Sequence, residues 1–122
     1  MARQAGGVLG GDGVAQKIAE LATECEVARV LGVKFVDAAL NSSKTPTAEA
    51  SEYKLYATEL SRRIADATMD IVGPGAQLAL GTADGPLKGR SESCYTYTVI
   101  DTIGGGSSEV QKNIIAKGAL GL

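Results

Sequence analysis

Thr102-Ile103-Gly104-Gly105-Gly106-Ser107-Ser108-Glu109-Val110-Gln111-Lys112-Asn113-Ile114-Ile115 is the stretch on which the reading of this chain turns. Consecutive glycines open backbone angles that a Cβ closes to other residues. Two serines follow, and serine is a favoured helix N-cap. Val110, Ile114, Ile115 and Leu120 then recur at roughly helical spacing, with polar residues between them. The stretch therefore reads as a loop running into the N-terminus of a short helix. Free N–H groups and the positive end of the dipole at such a place favour a phosphate or another anion-rich ligand. The plain alternative is a helix cap with no ligand, since a lone glycine-rich turn is a weak signal.

Immediately upstream, Tyr95-Thr96-Tyr97-Thr98-Val99-Ile100 is β-branched and aromatic, and local propensity favours a strand. A single strand among helices has no partner for its backbone groups. The segment is therefore assigned to a helix, which the family resemblance given below also implies, with Tyr95, Val99 and Thr102 facing inward and Thr98 or Ile100 nearby. Residues 76–90, with Gly81, Gly85, Pro86 and Gly89, read as a short helical turn and then a loop. Gly73-Pro74-Gly75 ends a preceding helix. That helix starts at Thr45-Pro46, with threonine as N-cap and proline at the first helical position. Its apolar stripe is Tyr53, Leu55 or Tyr56, Leu60, Ile64, Ala67 and Ile71, and Glu59 is spaced to pair with Arg62 or Arg63.

Before the break at Asn41-Ser42-Ser43-Lys44, a longer helix spans Val14 to about Leu40. Ile18, Leu21, Cys25, Ala28, Leu31 and Phe35 lie on one of its faces. Asp12 is placed to cap it. Residues 1–13, with Gly6, Gly7, Gly10, Gly11 and Gly13, read as a flexible arm. Two long helices joined by a short turn pack antiparallel. With the two shorter helices they give an all-α, antiparallel up-and-down four-helix bundle over residues 14–122.

At 122 residues the chain is one domain with one core. A net charge of −2 with no basic cluster points away from nucleic acid and anionic membranes. No apolar run is long enough to span a bilayer, and the N-terminus lacks a secretory pattern. Cys25 and Cys94 are far apart and read as small buried apolar residues, without metal-ligand spacing; a reducing cytoplasm fits them. Histidine is absent, so acid–base chemistry would need a carboxylate, lysine or tyrosine.

The terminal stretch resembles the C-terminal signature of the acyl-CoA dehydrogenase family. There, a loop of the form Ile-x-x-Gly-Thr/Ser-Ser-x-Ile-Gln leads into a last helix that often ends in Leu-Gly-Leu. Here the loop is Ile103 to Gln111, with Val110 in place of isoleucine, and the end is Leu120-Gly121-Leu122. Weaker similarity lies in Ala19-Glu20-Leu21-Ala22-Thr23-Glu24 and Ala48-Glu49-Ala50-Ser51. The resemblance implies the C-terminal helical domain of an FAD-dependent flavoprotein of fatty acid metabolism. Such an oxidoreductase removes hydrogens from the Cα–Cβ bond of an acyl-CoA thioester: a carboxylate takes the α-proton and FAD takes the β-hydride. It also implies that an N-terminal helical domain and a middle β-barrel precede this part in a whole enzyme.

In many members the proton-abstracting glutamate directly precedes the Gly-Thr/Ser pair. That position is Gly105 here, so no catalytic residue is assigned. In other relatives the base sits on an earlier helix of the domain. Asp101 and Glu109 flank the loop, but Glu109 reads as a dipole-stabilising carboxylate and Asp101 as solvent-facing or a cap. By resemblance, Ser107, Ser108 and Glu109 occupy FAD-contacting positions, with Glu109 where some relatives carry glutamine. Asp70 and Gly73, in Asp70-Ile71-Val72-Gly73-Pro74, resemble a second FAD-contacting stretch that usually reads Gln-x-x-Gly-Gly. Arg3-Gln4 resembles the start of an Arg-Gln-Phe-Gly motif whose arginine meets a phosphate across a subunit boundary, although Ala5 replaces the phenylalanine. The family's domain also builds oligomer contacts. The expectation is a homo-oligomer (dimer or tetramer), or a heteromer with a related subunit that supplies the base, with the chain inactive alone and not retaining FAD by itself. A non-catalytic helical module for oligomerisation, and a bundle without a ligand, are the alternatives.

Overall fold

The computed structural model describes residues 11–121. Four α-helices follow one another: α1 (Gly11–Asn41), α2 (Thr47–Val72), α3 (Arg90–Asp101) and α4 (Ser108–Ala119). Two 3-10 turns, Pro74–Gln77 and Pro86–Gly89, lie between α2 and α3. No strand is found among the described residues. The all-α bundle is as expected, and Tyr95–Ile100 is helical despite its strand-like composition. Of the arm expected over 1–13, residues 11–13 already belong to α1, and 1–10 lie outside the described residues.

α2 is the hub: α1, α3 and α4 each pack against it and barely against one another. Two ion pairs fix the register of α1 on α2. Arg63 pairs with Glu24, and Lys34 Nζ lies 2.7 Å from Glu52 Oε2. As the residue number rises on one helix it falls on the other, so the two run antiparallel, with Gly32 letting the Tyr53 ring approach near the turn. The side of α1 turned to α2 carries Leu21, Glu24, Ala28, Leu31 and Phe35, all half-buried. Ile18 and Cys25, expected on that face, are exposed instead. Their positions are rotated onto the neighbouring flank, because the stripe that meets α2 keeps a 3.5-residue rhythm that drifts around the helix.

The expected start of α2 is displaced by one residue. Pro46 is the N-cap rather than the first helical residue, and no Thr45 side-chain cap forms. The end is as read: Gly73 adopts φ 79°, and its N–H donates to the Met69 carbonyl at 2.9 Å. In α3, Thr98 is buried and Val99 is 42% exposed, the reverse of the inward order expected. Thr98 can turn inward because its hydroxyl donates to the Tyr95 carbonyl at 2.7 Å. Cys94, like Cys25, is exposed rather than buried. The buried apolar core is small: Val14, Leu60, Ala65, Ala67 and Ala76.

Candidate functional site

The glycine loop uses its conformational freedom at two positions. Gly105 has φ 69° and Gly106 φ 104°, both in the region that side chains disfavour. Three side-chain hydrogen bonds then hold the loop. Lys54 Nζ donates to the Gly106 carbonyl at 2.6 Å from the first half of α2. Gln111 Nε2 donates to the Gly105 carbonyl at 2.9 Å and to that of Gly106 at 3.4 Å. Gln111 is buried, although it stands on a helix among polar neighbours. Nothing in the spacing of Lys54 or Gln111 marks them as loop anchors. The loop therefore folds back over its own helix and is tied to α2.

Ser107 occupies the N-cap position of α4 with extended backbone angles, but its hydroxyl makes no capping bond to the helix backbone. It donates instead to Glu109 Oε2 at 2.7 Å. That bond, followed by the bond from Glu109's own backbone N–H and the charge of Lys112, holds the Glu109 carboxyl below its usual range. A carboxylate stabilised in its charged form is a poor proton acceptor. Its charge stands in the first turn of α4, at the positive end of the helix dipole.

Ser107, Ser108 and Glu109 line one open groove of about 610 Å³. Glu59, Arg62, Arg63 and Asp66 from α2 form the opposite wall, and Val99, Thr102 and Ile103 close the end. Glu59 makes no ion pair with either arginine among the described residues. Arg63 turns to Glu24 on α1, and its guanidinium lies 5.9 Å from the centre of the Tyr56 ring. The four α2 residues recur at helical spacing toward the α4 N-terminus, a signal present in the sequence but indistinguishable there from a solvated charged face.

Of the other expected positions, Asp70 and Gly73 are not brought together with these. Asp70 is exposed one turn further along α2 and Gly73 is buried at its end, neither lining the groove. Arg3 lies outside the described residues. Asp101 lines a different groove of about 490 Å³ between α2 and α3, with Arg90, Ser91 and Tyr97. Gly105 is open on its Cβ side, with no heavy atom within 4 Å of where a Cβ would stand. Among the described residues there is no cluster suited to a metal ion, and no helix is long and apolar enough to cross a membrane.

The α4-side wall can offer hydroxyls and backbone N–H groups, and the α2-side wall two guanidinium groups beside two carboxylates. Counting Glu109, three carboxylates face two arginines, so the groove suits a neutral hydroxyl-bearing group better than a bare pyrophosphate. Were FAD to meet this groove, the lining would fit its ribityl or ribose hydroxyls rather than its phosphates.

Comparison with known proteins places this arrangement. Residues 1–120 match the family model described as acyl-CoA dehydrogenase, C-terminal domain. The acyl-CoA dehydrogenase FadE26 of Mycobacterium tuberculosis is 39% identical over 75 residues, 62% of this chain and 19% of that protein. The acyl-CoA dehydrogenase IpdE1 of the same organism is 39% identical over 70 residues, 57% of this chain and 17% of that protein. The crystal structure of the ChsE4-ChsE5 complex from M. tuberculosis superposes with a TM-score of 0.78 at 31% identity, covering 89% of this chain and 28% of that one. The chain thus spans less than a third of the length of each relative. With its terminal loop, its helix order and its α2 hub in place, the chain belongs to the acyl-CoA dehydrogenase C-terminal domain family.

Proposed function

We propose that this chain serves as the C-terminal module of an FAD-dependent acyl-CoA dehydrogenase, giving FAD contacts and an assembly surface but no catalytic base. The observation that carries the reading is the convergence of Ser107, Ser108 and Glu109 on the groove at the head of α4, opposite Arg62 and Arg63. When bound, FAD supplies the hydride acceptor; the role of this chain is to position it. Ser107 and Ser108 offer hydroxyls, the α4 N-terminus offers N–H groups, and Glu109 accepts hydrogen bonds as a fixed carboxylate. Asp70 and Gly73, which lie away from this groove, and Arg3, outside the described residues, belong to the same proposal.

The position of the usual glutamate is Gly105, and neither Asp101 nor Glu109 replaces it, so proton abstraction must come from elsewhere in a complete enzyme. The small core, with Ile18, Val33, Val36, Leu40, Tyr97 and Ile103 left exposed, supports association with a copy or a related subunit.

The test is an NMR titration of the purified chain with FAD, followed by acyl-CoA and an electron acceptor. Weak binding, roughly millimolar, should shift the amides of Ser107, Ser108 and Glu109 together with Arg62 and Arg63, without turnover. Shifts scattered away from the groove would reject the FAD contact, and turnover would reject the missing base.

A further inference from the structure

The first N–H groups of an α-helix have no acceptor inside it, and each would find one four residues earlier if the helix continued backward. For Val110 that acceptor is the Gly106 carbonyl. In this chain the bond is not made: the first regular bond of α4 runs from the Gln111 N–H to the Ser107 carbonyl at 3.0 Å. The Gly106 oxygen is taken instead by Lys54 Nζ at 2.6 Å and by Gln111 Nε2 at 3.4 Å. The Gly105 oxygen is likewise taken, by Gln111 Nε2 at 2.9 Å. The Ser107 hydroxyl does not cap the helix either, since it donates to Glu109. Among the described residues, the N–H groups of Ser108 and Val110 are left with no acceptor.

Lys54 is the part of this arrangement that lies outside the loop and its own helix. Gln111 belongs to α4 and ties the loop to α4 alone. Lys54 belongs to α2, the helix that also carries the opposite wall of the groove. It stands eight and nine residues before Arg62 and Arg63, about 12–14 Å along the same rigid element. Among the described residues Lys54 pairs with no carboxylate, and its one hydrogen bond runs to Gly106. It does not line the groove.

We propose that Lys54 is a positioning residue for FAD. By holding the Gly106 carbonyl toward α2, it keeps that oxygen off the Val110 N–H and leaves the head of α4 open. The same bond fixes Ser107 and Ser108 relative to the Arg62–Arg63 wall. Without it, the Gly106 oxygen turns to Val110, α4 winds back by one residue, and a donor meant for a ribityl or ribose hydroxyl is consumed internally. The inference rests on the FAD reading above and adds to it the side chain that sets the shape of the groove.

The test compares the unsubstituted chain with Lys54→Met, which removes the donor, and Lys54→Arg, which keeps one. Circular dichroism checks that all three are folded. In Lys54→Met the Val110 amide should exchange more slowly with solvent, because it gains an acceptor; a loss of packing alone would make it exchange faster. The dissociation constant for FAD, followed by NMR, should rise at least about threefold. Lys54→Arg should reverse both effects. Unchanged FAD affinity in folded Lys54→Met overturns the positioning role, and faster or unchanged exchange at Val110 overturns the mechanism given for it. Absence of FAD binding by the unsubstituted chain overturns the FAD reading, and Val110 exchange then still decides whether Lys54 holds the head of α4 open.

Discussion

Lys54 Nζ donates a 2.6 Å hydrogen bond to the carbonyl of Gly106, joining the first half of α2 to a loop fifty-two residues later. A charged donor on a carbonyl is among the stronger hydrogen bonds a half-buried site can hold. Lys54→Met keeps the aliphatic stem and removes the donor. We expect a loss of about 1 kcal/mol, read as a lower midpoint in thermal unfolding. Amide exchange should rise at 104–108 and remain unchanged in α1.

The two left-handed glycines should differ on substitution. Gly105→Ala meets no atom and carries only the backbone penalty, about 1 kcal/mol. Gly106→Ala adds a Cβ that would stand 2.8 Å from Gln111 Nε2 and so displaces the amide holding the loop. It should cost at least about 2 kcal/mol. Gly105→Glu, which returns a carboxylate to the family's usual place, should fold as well as Gly105→Ala. Denaturant midpoints of the three variants decide the order.

Glu109 sets an acid limit on the head of α4. Its pKa lies below the ordinary 4.5 in the folded chain, mainly through the Ser107 hydroxyl. A depressed carboxyl contributes stability that is complete above the unfolded value and disappears as pH falls through the folded one. Local protection of the α4 amides should therefore weaken below about pH 4.5. In a carbon-detected titration, Ser107→Ala should move the Glu109 midpoint upward; an unchanged midpoint would contradict the hydrogen-bond assignment.

Gly89 is the position least able to accept a side chain. It has φ 73°, is buried, and a Cβ there would run into the backbone of Ala79 and Leu80. Gly89→Ala should cost at least about 3 kcal/mol and release the segment between α2 and α3. By contrast, Glu24→Gln breaks an ion pair between partly exposed side chains and should cost less than about 1 kcal/mol. Urea unfolding of both variants would test the ranking.

Much of the architecture was legible because it rests on local chemistry. Gly73-Pro74-Gly75 stops a helix wherever it occurs, and the spacing of Leu21, Ala28, Leu31 and Phe35 is visible in the sequence. The helix at Tyr95–Ile100 was legible only through its neighbours and the family resemblance, since its composition pointed the other way. What the sequence did not show depends on tertiary placement. Cys25 lies on a stripe as apolar as the one that meets α2, and nothing local says which stripe will be covered. Thr98 is buried in preference to Val99 because its hydroxyl has an intrahelical acceptor, which hydrophobicity does not encode. Of the expected site, Ser107, Ser108 and Glu109 share a groove because they are sequential, whereas Asp70 and Gly73 sit apart from it. The α2 wall of that groove comes from residues 41 to 50 positions earlier, and only the packing of α4 on α2 brings them near.

The spoke-like arrangement around α2 has a mechanical consequence. With three helices sharing one neighbour and hardly touching each other, the molecule has no alternative load path. Damage to α1 should leave the α2–α3–α4 side standing, whereas a break in the middle of α2 disconnects every other part at once. Cutting the chain between Ser42 and Pro46 would remove one spoke and spare the groove.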